Sequence, residues 1–483
     1  MTECKLTSVD LKRLNRHSVE VDFNGGTLTS DGGLLLLREV DDRLDLIRRA
    51  AEIIPDPRDP RYVVHPQSEL LTSRIFGIAA GYEDGNDHEH LRHDAAFQVA
   101  AGHTPAQGQY KEDGKHPLAS PATHSRFENR IDDATNFRLH ELFVDVFLES
   151  YAEPPEEIIL DYDATDDTTH GNQEQRYFNG FYDSYCFLPL YVFCGDQMLV
   201  SYLRPSSVGA AHHARAVTKL LVQKIRSRWP NVKIILRGDS GYCISGLMDW
   251  CDRSNVYYVF GLQKNNVLNR KLACSMTLAK IRFGITDEKQ TCFRWFRYRT
   301  QRSWKRHRWV LGKAEFGSDG ENPRFVVTNL PSDQGVVDDT MYWTKVDGKS
   351  ALRTQKTGVD CCPIEDPEQF YRTMYCQRCE MENRIKEQQL CLFADRTSCT
   401  KFQANQFRLM LSSLAYILLD GIRRLALSQT ENARLRVDTI RLKLFKIAAR
   451  VRVSCRRVLF QLASHCPNAA LFNLVLLRLC RSD

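Results

Sequence analysis

Three acidic residues, Asp163, Asp239 and Glu382, stand where carboxylates on separate elements can be aimed at one site. Two of them end apolar, strand-like runs, Ile158-Ile159-Leu160-Asp161-Tyr162-Asp163 and Val232-Lys233-Ile234-Ile235-Leu236-Arg237-Gly238-Asp239. The third lies in a helical pattern from Tyr375 to Gln389. Carboxylates on strand ends and a helix can hold two divalent cations, which activate a water or hydroxyl and stabilise the leaving oxygen in phosphodiester chemistry. The pattern points to an enzyme acting on nucleic acid.

Rivals surround each position. Side chains alternate along a strand, so Asp161 and Asp163 share a face; Asp163, at the strand end with Thr165 after it, is the expected ligand and Asp161 the reserve. Arg237-Gly238-Asp239-Ser240-Gly241 sets the second carboxylate at a strand-to-helix turn where glycines permit close approach. An Asp there also suits capping of the next helix. Arg378, Glu382 and Lys386 recur every four residues and share a helix face, a row that a salt-bridged surface helix also shows. Glu380 and Glu387 compete with Glu382. Combined with the two aspartates, the row favours Glu382 as ligand, Arg378 and Lys386 as phosphate contacts and Tyr375 as a substrate or packing contact.

The elements that must position these residues follow one another from Ile158 as strand, strand, strand, helix, strand, helix, strand. Tyr182 to Cys194 and Gln197 to Leu203, with Gly195-Asp196 between them, should complete an antiparallel meander. A helix from about Gly209 to Arg228 precedes the strand ending at Asp239, and Ser240 can cap a helix toward Asp252 before a last strand, Val256 to Leu262. That order resembles an RNase H-like fold, in which the first and fourth strands lie side by side and Asp163 neighbours Asp239. Residues 1–150 read as mostly helical, 151–265 as the first part of the α/β catalytic domain and 266–368 as a β-rich insertion. Residues 369–425 complete the catalytic domain with the glutamate helix, and 426–483 form a basic helical C-terminal region.

Within the insertion, Phe293-Arg294-Trp295-Phe296-Arg297-Tyr298-Arg299 and Trp304-Lys305-Arg306-His307-Arg308-Trp309-Val310 suggest a hairpin around Thr300 to Ser303. Arg297, Arg299, Trp304 and Arg306 are candidates for phosphate contact and base stacking, although an edge hairpin protected by charge gives the same string. Arg434 to Arg457 is strongly basic, as a DNA contact or as a solvated face. In the N-terminal part, Ser68 to Ala80, Gly81 and a helix from Asp87 make a helix-turn-helix-like pattern. The Asp84 to Asp94 group of acids and histidines reads as surface and capping chemistry, since nothing in it matches a zinc signature.

Composition sets the bounds. A chain of 483 residues with 43% hydrophobic and 26% charged residues reads as globular and too long for one ordinary core. Met1 to Lys5 shows no secretory signal and no apolar run reaches the roughly 20 residues that span a bilayer, so a cytoplasmic, nucleoid-associated protein with no membrane role is expected. The sixteen cysteines then read as reduced thiols. Cys376-x-x-Cys379 with Cys391 and Cys399 reads as helix cysteines in preference to a zinc site.

Leu160-Asp161-Tyr162-Asp163-Ala164-Thr165-Asp166, Arg237-Gly238-Asp239-Ser240-Gly241 and the stretch from Tyr375 to Gln388 resemble the motifs of bacterial insertion-sequence transposases with a DDE active site, nearest to the insertion sequence thirteen-eighty family. Leu28 to Leu34, Gly81 to Asp84, His170 to Gln173, Leu188 to Tyr191 and Ala433 to Val458 extend the resemblance over nearly the whole chain. The resemblance implies an RNase H-like domain interrupted by a β-rich insertion before the glutamate, with Asp163, Asp239 and Glu382 as the triad. It further implies two Mg²⁺ ions, for which Mn²⁺ can substitute, double-stranded DNA with terminal inverted repeats and a target as substrate, a homodimer in the synaptic complex, and cut-and-paste transposition. The related Tyr-x2-Arg-x3-Glu-x6-Lys signature is met at Tyr375, Arg378 and Glu382 but has Gln389 at its last position, with Lys386 one turn earlier. The Cys361-Cys362 pair and Cys379 are atypical. A metal-dependent nuclease without strand transfer, or an inactive DNA-binding descendant, are the competing readings.

Overall fold

The computed structural model describes residues 9–22, 24–105, 116–330, 341–346, 349–354, 364 and 366–480. Met1 to Lys5 and the Cys361-Cys362 pair lie outside them. The chain is mixed α/β and forms two compact units, Phe143–Lys386 and the combination of Met1–Leu142 with Glu387–Asp483. Among the described residues no helix is long and apolar enough to cross a membrane.

The first of these units is built on one sheet. Its strands are β1 (Glu157–Ala164), β2 (Leu190–Cys194) and β3 (Gln197–Tyr202), followed by helix α1 (Ala214–Arg228), β4 (Lys233–Gly238), α2 (Ser245–Arg253) and β5 (Tyr257–Leu262). Helix α3 (Asn266–Thr286) then leads to β6 (Gln290–Tyr298), β7 (Arg308–Gly317) and β8 (Arg324–Thr328), and α4 (Cys379–Lys386) comes last. The strand order is β6-β7-β8-β5-β4-β1-β2-β3, with Gly320–Glu321 pairing β7 at the side. β1, β4 and β5 run parallel, in a register that sets Asp161 beside Arg237 and Tyr162 beside Gly238. β2 and β3 form the antiparallel meander on one side of β1, with Asp163 opposite Tyr191.

Both faces of this sheet are covered, as an α/β layer requires. Leu160, Tyr162, Ile234, Leu236, Tyr258 and Phe260 point toward Leu221, Ile225, Leu247, Met248, Leu268 and Leu272 of α1, α2 and α3. The intervening residues Ile235, Val259, Leu311 and Val326 face the other way and pack on Phe370 and Tyr371, which lead into the glutamate helix. Strand alternation therefore separates a helix-packed face from the face that carries Asp161 and Asp163.

Three segments depart from expectation. The run from Tyr182 to Cys194 is two strands, because Pro189 has no N–H to continue a ladder; Ser184–Phe187 leaves the main sheet and pairs with Tyr177–Asn179 and Asp167–Thr168. Residues 266–368 open with the 21-residue helix α3, whose Leu268, Leu272, Met276 and Ala279 recur at helical spacing on its buried side. β6, β7 and β8 then continue the main sheet outward from β5.

The other unit is mostly helical in its N-terminal part. Gln67–Ala80 is almost wholly buried, and Gly81 ends it in the left-handed region at φ 95°. Asp84 and Asp87 close a capping box, and Asp94 caps Ala95–Ala100, whereas His88 of the same group is buried. Phe402–Ile422 supplies the longest buried helix of this unit. The expected helical character of 426–483 fails between Ala449 and Leu462, which form a β-hairpin alongside Leu28–Thr29. The alternation of Arg450 and Arg452, exposed, with Ala449 and Val451, buried, is the period of a strand. Part of the basic run is structural: Arg441 Nε donates to the Ala79 carbonyl at 2.9 Å, and Lys446 Nζ lies 2.6 Å from Asp31.

Candidate active site

The site begins at the C-terminal ends of β1 and β4. Tyr162 turns into the helical layer, where its hydroxyl is 2.9 Å from Thr218 Oγ1 and its ring meets Tyr242 edge-on. Asp161 and Asp163 therefore point to the opposite side. Asp161 is buried and held by Arg237 on the adjoining strand, with Nη2 2.7 Å from Oδ2. Arg237 Nη1 also donates to the Met374 carbonyl at 2.9 Å, so this ion pair ties the sheet to the segment preceding Glu382. The reserve aspartate is thus engaged as a structural anchor.

Asp163 is half-buried, and its Oδ1 accepts from the Ala164 N–H at 2.9 Å. Asp239 follows the last residue of β4, and its Oδ1 accepts the Gly241 N–H at 2.8 Å, capping the short 3₁₀ turn Ser240–Tyr242. Capping and site placement coincide here, because one carboxylate oxygen caps the turn while the turn holds the group at the strand end.

Glu382 arrives on an irregular helix. Pro367–Phe370 is followed by a π-helical turn, Tyr371–Tyr375, a 3₁₀ turn, Cys376–Arg378, and then α4. Such changes of pitch are concentrated at functional positions because they re-aim the side chains that follow. Arg378 Nη2 lies 2.9 Å from Glu382 Oε1. Burial works against the Arg378 cation, yet Asp163, Tyr375, Glu382 and Asp239 together outweigh it and raise its pKa. Asp163 shows the reciprocal effect: its carboxyl is pushed up to about 6, first by burial and further by Asp239 and Glu382, against the pull of Arg378 and the Ala164 N–H. Three carboxylates and one guanidinium thus share an electrostatic neighbourhood. Among the described residues, no three His, Cys, Asp or Glu side chains close into a metal-ligand cluster. The donor chemistry nevertheless suits a hard divalent cation, which takes carboxylate oxygens and relieves their mutual repulsion.

Sequence reasoning passed over several contributors. A Cβ on Gly261, in β5, would stand 2.6 Å from the Tyr375 hydroxyl and 2.9 Å from the Ser240 nitrogen. Only glycine lets the Asp239 turn and Tyr375 approach the strand so closely, and a glycine inside a strand pattern is the signal that marks it. The Tyr182 hydroxyl is pushed up to about 12 by burial, with Asp166, Asp163 and Asp239 nearby.

Lys386 is exposed on α4, while its neighbour Arg384 pairs with Asp196 at 2.7 Å. Glu380 is exposed; Glu387 is buried against Arg423, with Oε2 2.9 Å from Nη2. Within residues 266–368, Trp304 is a correction. It is buried, packs on Tyr298 with ring centroids 5.4 Å apart, and is core rather than a base-stacking surface. Arg297 lies over the Trp309 ring at 5.4 Å, and Arg299 is half-buried. Arg306 is exposed, with Nη2 3.3 Å from Asp252, whereas Arg308 beside it is buried against Asp249 and Tyr258.

A family model described as transposase DDE domain, group 1, matches residues 11–483. The chain belongs to this family and is a DDE transposase, a metal-dependent class of enzyme. Among solved structures it is similar to a piggyBac transposase synaptic complex with hairpin DNA, at TM-score 0.42 and 9% identity, over 86% of this chain and 79% of that one. No curated protein matches it.

Proposed function

We propose that this transposase moves a bacterial insertion sequence by cut and paste, binding terminal inverted repeats and using Asp163, Asp239 and Glu382 as the metal-binding triad. The observation that carries the reading is the convergence on Arg378: Asp163 and Asp239 end neighbouring parallel strands, Glu382 pairs with Arg378, and the charge of that arginine is sustained by all three. An RNase H-like core is supported by the order β3-β2-β1-β4-β5, in which β1, β2 and β3 form an antiparallel meander and β1, β4 and β5 run parallel. Residues 266–368 are the insertion into it, 1–150 the end-binding region and 426–483 the basic C-terminal region.

Two Mg²⁺ ions, or Mn²⁺ in their place, would be held by the three carboxylates and would activate the attacking oxygen and stabilise the leaving one. Asp163 and Asp239 fix one side of the site from the rigid sheet, and Glu382 closes it from the helix. Arg378 and the exposed Lys386 supply positive charge for the DNA phosphates. In the first step water attacks phosphorus at the element end, breaking the P–O3′ bond and releasing a 3′-hydroxyl. In the second that hydroxyl attacks a target phosphodiester, displacing the target 3′-oxygen. Two ends joined in one reaction call for a homodimer on DNA.

The test compares wild type with Asp163→Asn, Asp239→Asn and Glu382→Gln for Mg²⁺-dependent cutting and joining of repeat-end DNA. Retained end binding with loss of both reactions is expected. Undiminished cutting by the three variants overturns the triad, and cutting without joining by wild type points instead to a nuclease.

A further inference from the structure

Helix α3 is apolar on two opposite sides. One side, with Leu268, Leu272, Met276 and Ala279, is buried. Phe283 continues it, meeting Phe316 of β7 edge to face with centroids 5.3 Å apart. The other side carries Cys274, Leu278, Ile281 and Ile285. All four are exposed, Leu278 at 43%, Ile281 at 56% and Ile285 at 78%. Their four-three-four spacing is that of a coiled-coil seam and, at about 100° per residue, sets them nearly opposite the core side. A helix with a second apolar side calls for a second partner, and among the described residues nothing covers this one.

Both ends of the helix are fixed. Asn265 Oδ1 accepts the N–H groups of Val267 and Leu268, each at 3.0 Å, and the Asp287 N–H donates to the Phe283 carbonyl at 2.8 Å. α3 also follows directly from β5, the strand beside β4, so whatever binds the seam is coupled to the sheet that carries Asp163 and Asp239. The charges at its two ends identify the occupant. Arg270 and Lys271 are exposed in its second turn, and Asp287 and Glu288 are exposed just past its last. An antiparallel copy of α3 brings the basic start of each helix against the acidic end of the other. The register that sets Leu278 on Ile281 also sets Cys274 on Ile285 and Lys271 on Glu288. A two-fold axis repeats each pairing, so apolar layers are closed at both ends by opposite charges. A parallel copy would set Lys271 on Lys271 and Glu288 on Glu288.

We propose that α3 packs antiparallel on the α3 of a second copy of this chain and forms an interface of the homodimer, which deepens and rests on the homodimer reading above. The contact is isologous, each chain giving and receiving the same side chains. One helix pair is at the small end of specific interfaces, so association of the free protein in roughly the micromolar range is expected. DNA ends held by both chains add a second, linked contact and strengthen it. Because α3 rests on the sheet, the seam fixes the two candidate active sites about a common axis, as joining two ends to one target requires.

The experiment is analytical ultracentrifugation of the full chain, free and on repeat-end DNA, for wild type, Ile281→Asp and Ile285→Asp. Wild type should dimerise reversibly. Each variant should raise the dissociation constant at least about tenfold, since an unpaired carboxylate must enter the seam. Melting temperatures taken at concentrations where wild type is monomeric should agree, because both positions face water in the single chain. Direction is read by mild oxidation and peptide mass mapping. Ile285→Cys should cross-link to Cys274 of the second copy, while wild type should give no Cys274 to Cys274 link. A wild-type dimer that both variants leave intact would overturn the α3 interface while the homodimer stands, as would that like-to-like link. A fall in melting temperature with unchanged mass would overturn it too, assigning the seam to another segment of the same chain. Wild type monomeric both free and on DNA would instead bring down the homodimer reading itself.

Discussion

Replacing Asp163 by asparagine should make the metal-free protein more stable, not less, and only above mildly acidic pH. The carboxyl is raised from 3.8 to about 6 in the folded chain. A group that holds its proton more tightly when folded leaves stability untouched below about pH 4 and removes it as pH rises through about 6. That displacement corresponds to an upper bound of ~3 kcal/mol at about 1.4 kcal/mol per tenfold change. Relaxation of the site reduces it, so a gain of about 1–2 kcal/mol is expected, or roughly 3–6 °C for a unit of this size. Asparagine keeps the shape and removes a charge that burial disfavours and that Asp239 and Glu382 repel. The assay is differential scanning calorimetry of both proteins in EDTA at pH 8 and pH 4.5. Asp163→Asn should melt higher at pH 8, and the gap should fall to roughly a third at pH 4.5, where the carboxyl is already largely protonated. Adding Mg²⁺ at pH 8 should raise wild type and leave the variant nearly unchanged. A variant that melts no higher than wild type at pH 8, or an equal Mg²⁺ effect on both, refutes the picture of three repelling carboxylates awaiting a cation.

Asp161→Ala also removes a carboxylate from β1, but it strands the buried Arg237 cation, so urea unfolding should show a loss of about 3–5 kcal/mol, opposite in sign to Asp163→Asn. Gly261→Ala should lower the cutting rate about 10- to 100-fold by displacing Tyr375 or the Asp239 turn, with stability down by about 1–3 kcal/mol; single-turnover kinetics and thermal melts check the two parts. Trp304→Ala should cost about 3–5 kcal/mol as a core truncation. Arg306→Ala should leave stability within about 0.5 kcal/mol and, if this exposed arginine meets a phosphate, flatten the salt dependence of DNA affinity by about one unit of slope.

How far the residues announced this structure differs from element to element. β1, β4 and β5 were readable because each combines a short apolar run with a turn signal, and their parallel neighbourhood follows from the intervening helices. Asp161 and Asp163 share one strand face, and pattern ranks them only through the strand end and Thr165; what separates them in the structure is Arg237, which reaches Asp161 only through the pairing register. The π and 3₁₀ turns before Glu382 leave little trace in a four-residue spacing of charged residues. Trp304 misled for a related reason: a string of arginines and aromatics reads as surface, while alternation buries Trp304 and the carboxylates of α2 hold its neighbour Arg308 inside. Ala449 to Leu462 looked helical because its charge drew more notice than its two-residue period.

The position of Glu382 so far along the chain also has a meaning for synthesis. Asp163 and Asp239 leave the ribosome on strands that can pair at once, but roughly 140 further residues must follow before the glutamate exists, about 7–30 s at ordinary elongation rates. If the proposed triad is the cutting site, a nascent chain carries two of its three carboxylates throughout the interval when it is nearest its own messenger and, in a coupled system, the gene that encodes it. On that triad the long detour through β6, β7 and β8 would act as a delay, making competence to break DNA among the last properties this protein acquires.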